Sequence, residues 1–193
     1  MGVEFELKYR ADTDAQARLL QDFGPWQAIT MATTYYDSPS GALAARKFTL
    51  RCRLENGTPV CTVKAPAGKL ERGEWELSGE PDILKAIPTL CGIGAPGELQ
   101  ALAAEGLLPI CGASFTRQAA VIAEADAVLE LALDSGFLFA GENRAPLCEV
   151  EVELKSGSRE TAMAFGALLA ARYGLIPEPK SKFKRALELN TAC

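Results

Sequence analysis

Short segments in which apolar and polar residues alternate dominate this chain. From Val3 to Arg10, apolar Val3, Phe5, Leu7 and Tyr9 interleave with Glu4, Glu6, Lys8 and Arg10, the period of two that marks a strand with one buried face. Phe48 to Leu54 and Val60 to Lys64 repeat the rhythm, placing Arg51 and Arg53 on one face of the first and Thr62 and Lys64 on one face of the second. Asn56-Gly57 between them signals a tight hairpin, because a type I′ turn needs positive φ at both central residues, so these two runs are expected to pair antiparallel. Further strands are expected at Arg72 to Leu77, Phe115 to Ala123, Ala127 to Leu133, Gly136 to Ala140 and Cys148 to Lys155, about eight in all. Helices are fewer. Asp12 or Thr13 caps one that runs through Phe23 and stops at Gly24-Pro25, Pro96 opens one through Glu105, and Ser158 caps a long one through Tyr173, ended by Gly174.

The last expected strand sets the chemistry. Glu149, Glu151, Glu153 and Lys155 point one way, Val150, Val152 and Leu154 the other. One such strand is ordinarily a solvated sheet face. Here, however, three like charges stand in a row, Glu4 and Glu6 repeat the pattern, and such rows repel unless something positive sits among them. Two partners offer themselves: a divalent cation, magnesium or manganese, that takes carboxylate oxygens, and the strand-borne bases Lys8, Arg51, Arg53 and Lys64. With a cation on the glutamates the bases exceed what the acids need, so an anion is the remaining partner, and guanidinium forks and lysine ammoniums suit phosphate oxygens. A sheet of about eight strands with acids and bases on one face and aliphatics on the other can close into a β-barrel with a charged lumen, an α+β fold with helices packed outside.

Composition narrows the chemistry further. The 193 residues include no histidine, which excludes Ser-His-Asp and Cys-His catalysis and imidazole metal sites. Six cysteines form no C-x-x-C pair and are expected to be reduced and mostly buried, which argues against zinc. The net charge of −5 argues against a nucleic-acid surface. There is neither a P-loop nor a G-x-G-x-x-G turn, so side chains must hold any phosphate. No run approaches the ~20 apolar residues of a membrane span, and the acidic start is unlike a signal peptide. The expectation is a cytoplasmic protein with no membrane partner. No repeat or linker divides the chain, so residues 1–193 are expected to form a single domain, and a homodimer is one assembly the sequence allows.

Glu4-Phe5-Glu6-Leu7-Lys8 resembles the E-x-E-x-K signature of the CYTH superfamily, the triphosphate tunnel metalloenzymes. It is followed in order by Tyr35-Tyr36-Asp37, Leu50-Arg51-Cys52-Arg53, Thr62-Val63-Lys64, Glu71-Arg72-Gly73-Glu74, Phe115-Thr116-Arg117, Leu131-Ala132-Leu133-Asp134, the Glu149 to Glu153 run and Ser181-Lys182. The resemblance implies a closed eight-stranded antiparallel tunnel that takes in a triphosphate, and it is nearest to bacterial inorganic triphosphatases. It implies that Lys8, Arg51, Arg53, Lys64, Arg117 and Lys182, with Arg72 weaker, hold phosphates. Glu4, Glu6, Glu149, Glu151 and Glu153 would hold Mg2+ or Mn2+ or position water, with Glu4, Glu6 and Lys8 catalytic. The expected reaction is metal-dependent hydrolysis of inorganic triphosphate to pyrophosphate and phosphate. Nucleoside or thiamine triphosphate hydrolysis, an adenylate cyclase and a non-catalytic polyphosphate-binding module are the alternatives.

The chain departs from the family pattern after Leu43, where Ala44 and Ala45 replace a basic residue and Arg46 is the nearest substitute. Many relatives continue into a histidine-rich CHAD domain, so this chain is either a stand-alone form or one part of such a protein. Tyr35 and Tyr36 are expected to pack, Asp134 to cap a turn before Gly136, Arg72 with Glu74 to form an exposed pair, and Trp26 and Trp75 to anchor the apolar exterior.

Overall fold

The structure, a computed structural model, describes residues 5–66 and 72–191, with Arg72 and Thr191 described through their backbone alone. Glu4 and Glu71 therefore lie outside the described residues. In chain order the elements are β1 (Phe5–Arg10), α1 (Thr13–Asp22), β2 (Gln27–Asp37), α2 (Ala42–Ala45), β3 (Thr49–Glu55), β4 (Thr58–Pro66), β5 (Arg72–Ser78), α3 (Ile83–Gly92), α4 (Glu98–Leu102), β6 (Leu108–Glu124), β7 (Ala127–Ala140), β8 (Asn143–Ser156), α5 (Arg159–Tyr173), β9 (Ile176–Pro177) and α6 (Lys182–Glu188). The helix ends are set locally. The Asp12 carboxylate accepts from the Ala15 amide at 2.7 Å, the Ser158 hydroxyl from the Thr161 amide at 3.2 Å, and Gly174 ends α5 at φ +71°. Asn56 and Gly57 both take positive φ, 49° and 86°, closing the β3–β4 hairpin as expected.

The nine strands among the described residues join one antiparallel sheet in the order β5-β4-β3-β2-β6-β7-β8-β1-β9. The expected closed barrel of eight strands is thus corrected to an open, curved sheet of nine. The physical reason lies at its ends. β9 is two residues long and includes Pro177, which has no N–H to offer, so it cannot carry a ladder across to β5.

Two further corrections concern the strands. β2, which pairs with both β3 and β6, was not expected, because Ala28, Thr30, Ala32 and Thr34 blur its alternation. The two runs 127–133 and 136–140 are one strand, β7. Gly136 is no break there. A side chain at that position would meet the Ser114 carbonyl oxygen at 2.2 Å, so glycine permits the close approach of β6. Asp134 accordingly caps no turn and sits buried in mid-strand.

Helices α1 and α5 cover one part of the convex face, burying Leu19, Leu129, Leu131, Val150, Val152 and Leu169. Helices α2, α3 and α4 cover another, over Leu43, Leu50, Val63, Ile87, Leu90 and Leu99. Burial of each such side chain contributes roughly 1.5–3 kcal/mol. Trp26 packs on the first cluster and Trp75 on the second, as expected of exterior anchors. Helix α3 was not foreseen, because Pro88 stands inside it. Helix α6 breaks the expectation that helices lie outside: it packs on the concave side, burying Ala186 among Tyr35, Phe115, Leu138 and Leu147. No helix among the described residues is long and apolar enough to cross a membrane.

Candidate active site

The concave face of the sheet lines a cavity of about 530 Å³. Period-two alternation aims the charges into it. From β1 come Glu6 and Lys8, from β3 Arg51, Arg53 and Glu55, from β4 Lys64, from β5 Glu74 and Glu76, from β6 Arg117, from β7 Glu130, from β8 Glu151, Glu153 and Lys155, and from α6 Lys182. Acids and bases are equal in number in this lining, and each base has an acidic neighbour.

One wall is built by β6, β7, β8 and α6. The Arg117 guanidinium donates to both Asp134 carboxylate oxygens at 2.8 Å and also to Glu151. Lys182 lies 2.8 Å from Asp134 and 2.5 Å from Glu151, and contacts Glu149 as well. Arg185, one helical turn beyond Lys182, closes on Glu149 and lies 3.8 Å from Glu178. Asp134 and Glu149 are directly opposed in the β7–β8 ladder. Behind them, on the convex side, the Gln16 amide of α1 donates to both of their backbone carbonyls at 3.0 Å, tying helix and strands at that register.

The protonation pattern follows from burial and charge. Burial, then the neighbouring Glu151 carboxylate, pushes Glu6 up to about 7. Burial likewise pushes Glu149 up to about 7 against the pull of Lys182. Burial acts in the same sense on Glu151, but Lys182 and Arg117 prevail and hold it well below the usual carboxylate range.

The other wall is built by β3, β4 and β5. Lys64 lies 2.7 Å from Glu74, Arg51 lies 3.6 Å from Glu74, and Arg53 contacts Glu55 and stands 3.9 Å from Glu76. The Nε atoms of Arg51 and Arg53 are buried with no hydrogen-bond partner, and burial together with Arg51 lowers the pKa of Arg53. Between the walls, Lys8 lies 3.5 Å from Glu6, and Lys155 lies 2.8 Å from Glu153 and 3.5 Å from Glu130. An apolar strip of Ile29, Met31, Phe115 and Phe183 completes the lining.

The structure thus brings Glu6, Lys8, Arg51, Arg53, Lys64, Arg117, Glu151, Glu153 and Lys182 to one cavity, with Glu149 buried beneath it. A CYTH domain model matches residues 2–187. The chain belongs to the CYTH family. Inorganic triphosphatase of Haemophilus influenzae is 31% identical over 169 residues, which cover 86% of this chain and 47% of that protein. The chain therefore spans about half the length of that CYTH relative. Among solved structures, an adenylyl cyclase candidate from Hippeastrum, described as having a dominant triphosphatase activity, superposes with a TM-score of 0.63 at 16% identity, covering 96% of this chain and 95% of that one. A protein from Bacillus halodurans, described as an adenylate cyclase candidate, gives 0.60 at 16% identity over 95% of this chain and 96% of that one. At such identities these likenesses establish the CYTH fold alone.

Within this CYTH cavity some sequence-based assignments find different neighbours. Glu153 pairs with Lys155 and stands apart from the group formed by Asp134, Glu149 and Glu151. Arg46 pairs with Glu98 at 2.6 Å on the exposed surface and does not line the cavity. Tyr35 packs against Phe183 with ring centroids 4.9 Å apart, and Tyr36 packs on the α2–α4 side, so both are packing residues as expected. Glu74 pairs inward with Lys64 and Arg51, and the Arg72 side chain expected beside it lies outside the described residues. Sequence reasoning missed Arg185, Glu55, Glu76 and Glu130, set Asp134 and Glu74 aside as structural residues, and placed Lys155 on the charged face without a role in the site. Most were legible in principle: Glu55 continues the Arg51-Arg53 face at a spacing of two, and Arg185 follows Lys182 at a spacing of three on one helix face.

Proposed function

We propose that this chain hydrolyses inorganic triphosphate to pyrophosphate and phosphate in the cavity, with Mg2+ or Mn2+. The observation that carries the reading is the pair of buried, unpartnered guanidinium Nε donors of Arg51 and Arg53, set beside Lys64 on one wall of the cavity. Buried donors without partners are costly, and an oxyanion ligand would satisfy them.

The carboxylates fit a hard divalent cation. Oxygens of Asp134, Glu149 and Glu151 lie within 4.8 Å of one another, an all-oxygen donor set of the kind magnesium and manganese take once Lys182, which contacts all three, swings aside to a phosphate. Glu6 and Glu153 line the same cavity, and the E-x-E-x-K pattern adds Glu4, outside the described residues, as a further candidate ligand. When bound, such an ion supplies Lewis-acid polarisation of phosphoryl oxygens and acidifies a water. Because the acids and bases of the lining balance, a triphosphate and its cation enter together more readily than either alone.

In this reading Lys8, Arg51, Arg53, Lys64, Arg117 and Lys182 grip the phosphate oxygens, and Arg72, whose side chain lies outside the described residues, stays the weaker candidate. Lys8 and the two arginines stabilise charge developing on the bridging oxygen as the P–O bond breaks and pyrophosphate leaves. Glu6, pushed up to about 7, is matched to accepting the proton of the attacking water near neutral pH. A second reading, a nucleoside triphosphate as substrate, draws on the apolar strip of Ile29, Met31, Phe115 and Phe183, which offers a face to an organic group.

Phosphate release from triphosphate, ATP, thiamine triphosphate and longer polyphosphate, each with Mg2+ or Mn2+, tests both readings. Release that is fastest from triphosphate is the expected result. ATP preferred over triphosphate favours the second reading. Binding without release from any of them overturns hydrolysis in favour of a polyphosphate-binding module.

A further inference from the structure

On the convex face, directly behind Arg51 and Arg53, Cys52 of β3 and Cys61 of β4 stand opposite each other in the ladder. Their sulfurs are 3.0 Å apart. Opposed residues of an antiparallel pair have Cα atoms about 4.5–5.5 Å apart, inside the roughly 4.4–6.8 Å that a disulfide spans. The backbone therefore need not move for the two to join. Cys61 is buried and Cys52 half-buried, so a reagent reaches Cys52 first. The same two thiols hold the turn that leads into α3. Cys61 Sγ lies 3.2 Å from the Glu80 carbonyl oxygen and Cys52 Sγ lies 3.9 Å from that of Pro81, each thiol donating.

We propose that Cys52 and Cys61 form a reversible cross-strand disulfide by exchange with a small-molecule disulfide, and that its formation unhooks the 80–82 turn. In the first step Cys52 gives its proton to solvent and its thiolate attacks one sulfur of the small disulfide, expelling one small thiolate. In the second, Cys61 loses its proton and attacks Cys52 Sγ, expelling the other. Two protein thiols are oxidised, one small disulfide is reduced to two thiols, and both S–H donors to the Glu80 and Pro81 carbonyls disappear. Burial, followed by the adjoining Cys52, pushes the Cys61 thiol up, which makes it the resolving and not the attacking group. The crosslink also pins the β3–β4 register that sets Arg51 opposite Thr62 and Arg53 opposite Val60. The inference does not rest on the phosphate chemistry, so it stands or falls separately from it.

The test uses the native chain equilibrated with graded ratios of oxidised to reduced glutathione, acid-quenched, alkylated and digested with trypsin. The expected product is Cys52-Arg53 linked to Leu54–Lys64, reversed by dithiothreitol, with Cys91, Cys111 and Cys148 alkylated as thiols. Cys61→Ser is expected to stop at the mixed disulfide on Cys52. Amides of residues 80–86 are expected to exchange hydrogen several-fold faster in the oxidised chain. Recovery of Cys52 and Cys61 both as alkylated thiols, or arrest of the wild-type chain at a glutathione adduct, overturns the crosslink. A crosslink that leaves exchange at 80–86 unchanged overturns the coupling to the turn.

Discussion

The two walls of the cavity carry similar residues to opposite effect. On the β6–β8 wall, Asp134 and Glu149 are fully buried and Arg117, Lys182 and Arg185 saturate them with short contacts. On the β3–β5 wall, the acid partners are more exposed, Glu76 being 46% exposed, two of the ion pairs stretch to 3.6 and 3.9 Å, and two guanidinium Nε atoms have no partner, against one, that of Arg185, on the first wall. Buried charges lose so much hydration that they persist only when fully paired, and removing one partner leaves the others stranded. Loosely paired charges can exchange partners at small cost. The difference teaches that the first wall ties strands and α6 together, so Arg117 and Lys182 can meet a phosphate only while keeping carboxylate partners, whereas the second trades its acids for an anion more readily.

The largest effect expected from breaking this comparison is structural. Asp134→Ala removes the carboxylate shared by Arg117 and Lys182 and should cost about 3–5 kcal/mol of stability, lowering the thermal midpoint by about 10 °C in a chain of this size. Denaturant titration with an unchanged slope would measure it. A variant as stable as wild type would mean the dense wall is no tie at all.

Arg53→Ala tests the other wall. Its stability should stay within about 1 kcal/mol of wild type, while phosphate release from triphosphate falls roughly 10²–10³-fold, the scale of losing one preorganised donor. Lys8→Ala should behave alike. Full turnover by either variant would contradict the assignment of phosphate contacts.

Metal addition should sharpen the contrast from the carboxylate side. Mn2+ at about a hundred times its dissociation constant should stabilise the wild-type chain by roughly 2.7 kcal/mol. Glu149→Gln, which removes a buried ligand from the group with Asp134 and Glu151, should abolish most of that gain, read as the shift in thermal midpoint with and without Mn2+. An equal shift in both proteins would place the cation elsewhere.

Much of this arrangement was readable from residue spacing. The facing of Glu6 and Lys8, of Arg51 and Arg53, and of Glu149, Glu151 and Glu153 follows from the alternation of strands, which is a local property. The closure of the sheet was not readable, because it depends on the two-residue β9 and on Pro177, where local pattern is too short to speak. Nor was the role of Asp134. Its neighbour Gly136 looks like a turn residue in one dimension and is a close-packing residue in three. Which acid meets which base was likewise invisible. The contacts of Lys182 with Asp134, Glu149 and Glu151 join segments that are close only because α6 folds back into the concavity.

The smallest effect should be the most informative about the open wall. Glu74 neutralises Lys64 at 2.7 Å and Arg51 at 3.6 Å, and both bases must turn from it to meet an anion. Glu74→Gln keeps the shape and most of the hydrogen bonding but removes the competing charge. Because the pair is partly solvated, its loss should change stability by less than about 1 kcal/mol. The freed bases should lower KM for triphosphate by up to about fivefold at unchanged kcat, the pattern of an interaction felt equally by bound substrate and transition state. A rise in KM would mean that Glu74 holds the cation that accompanies the phosphate chain, and the β3–β5 wall would then share the carboxylate role assigned here to its opposite.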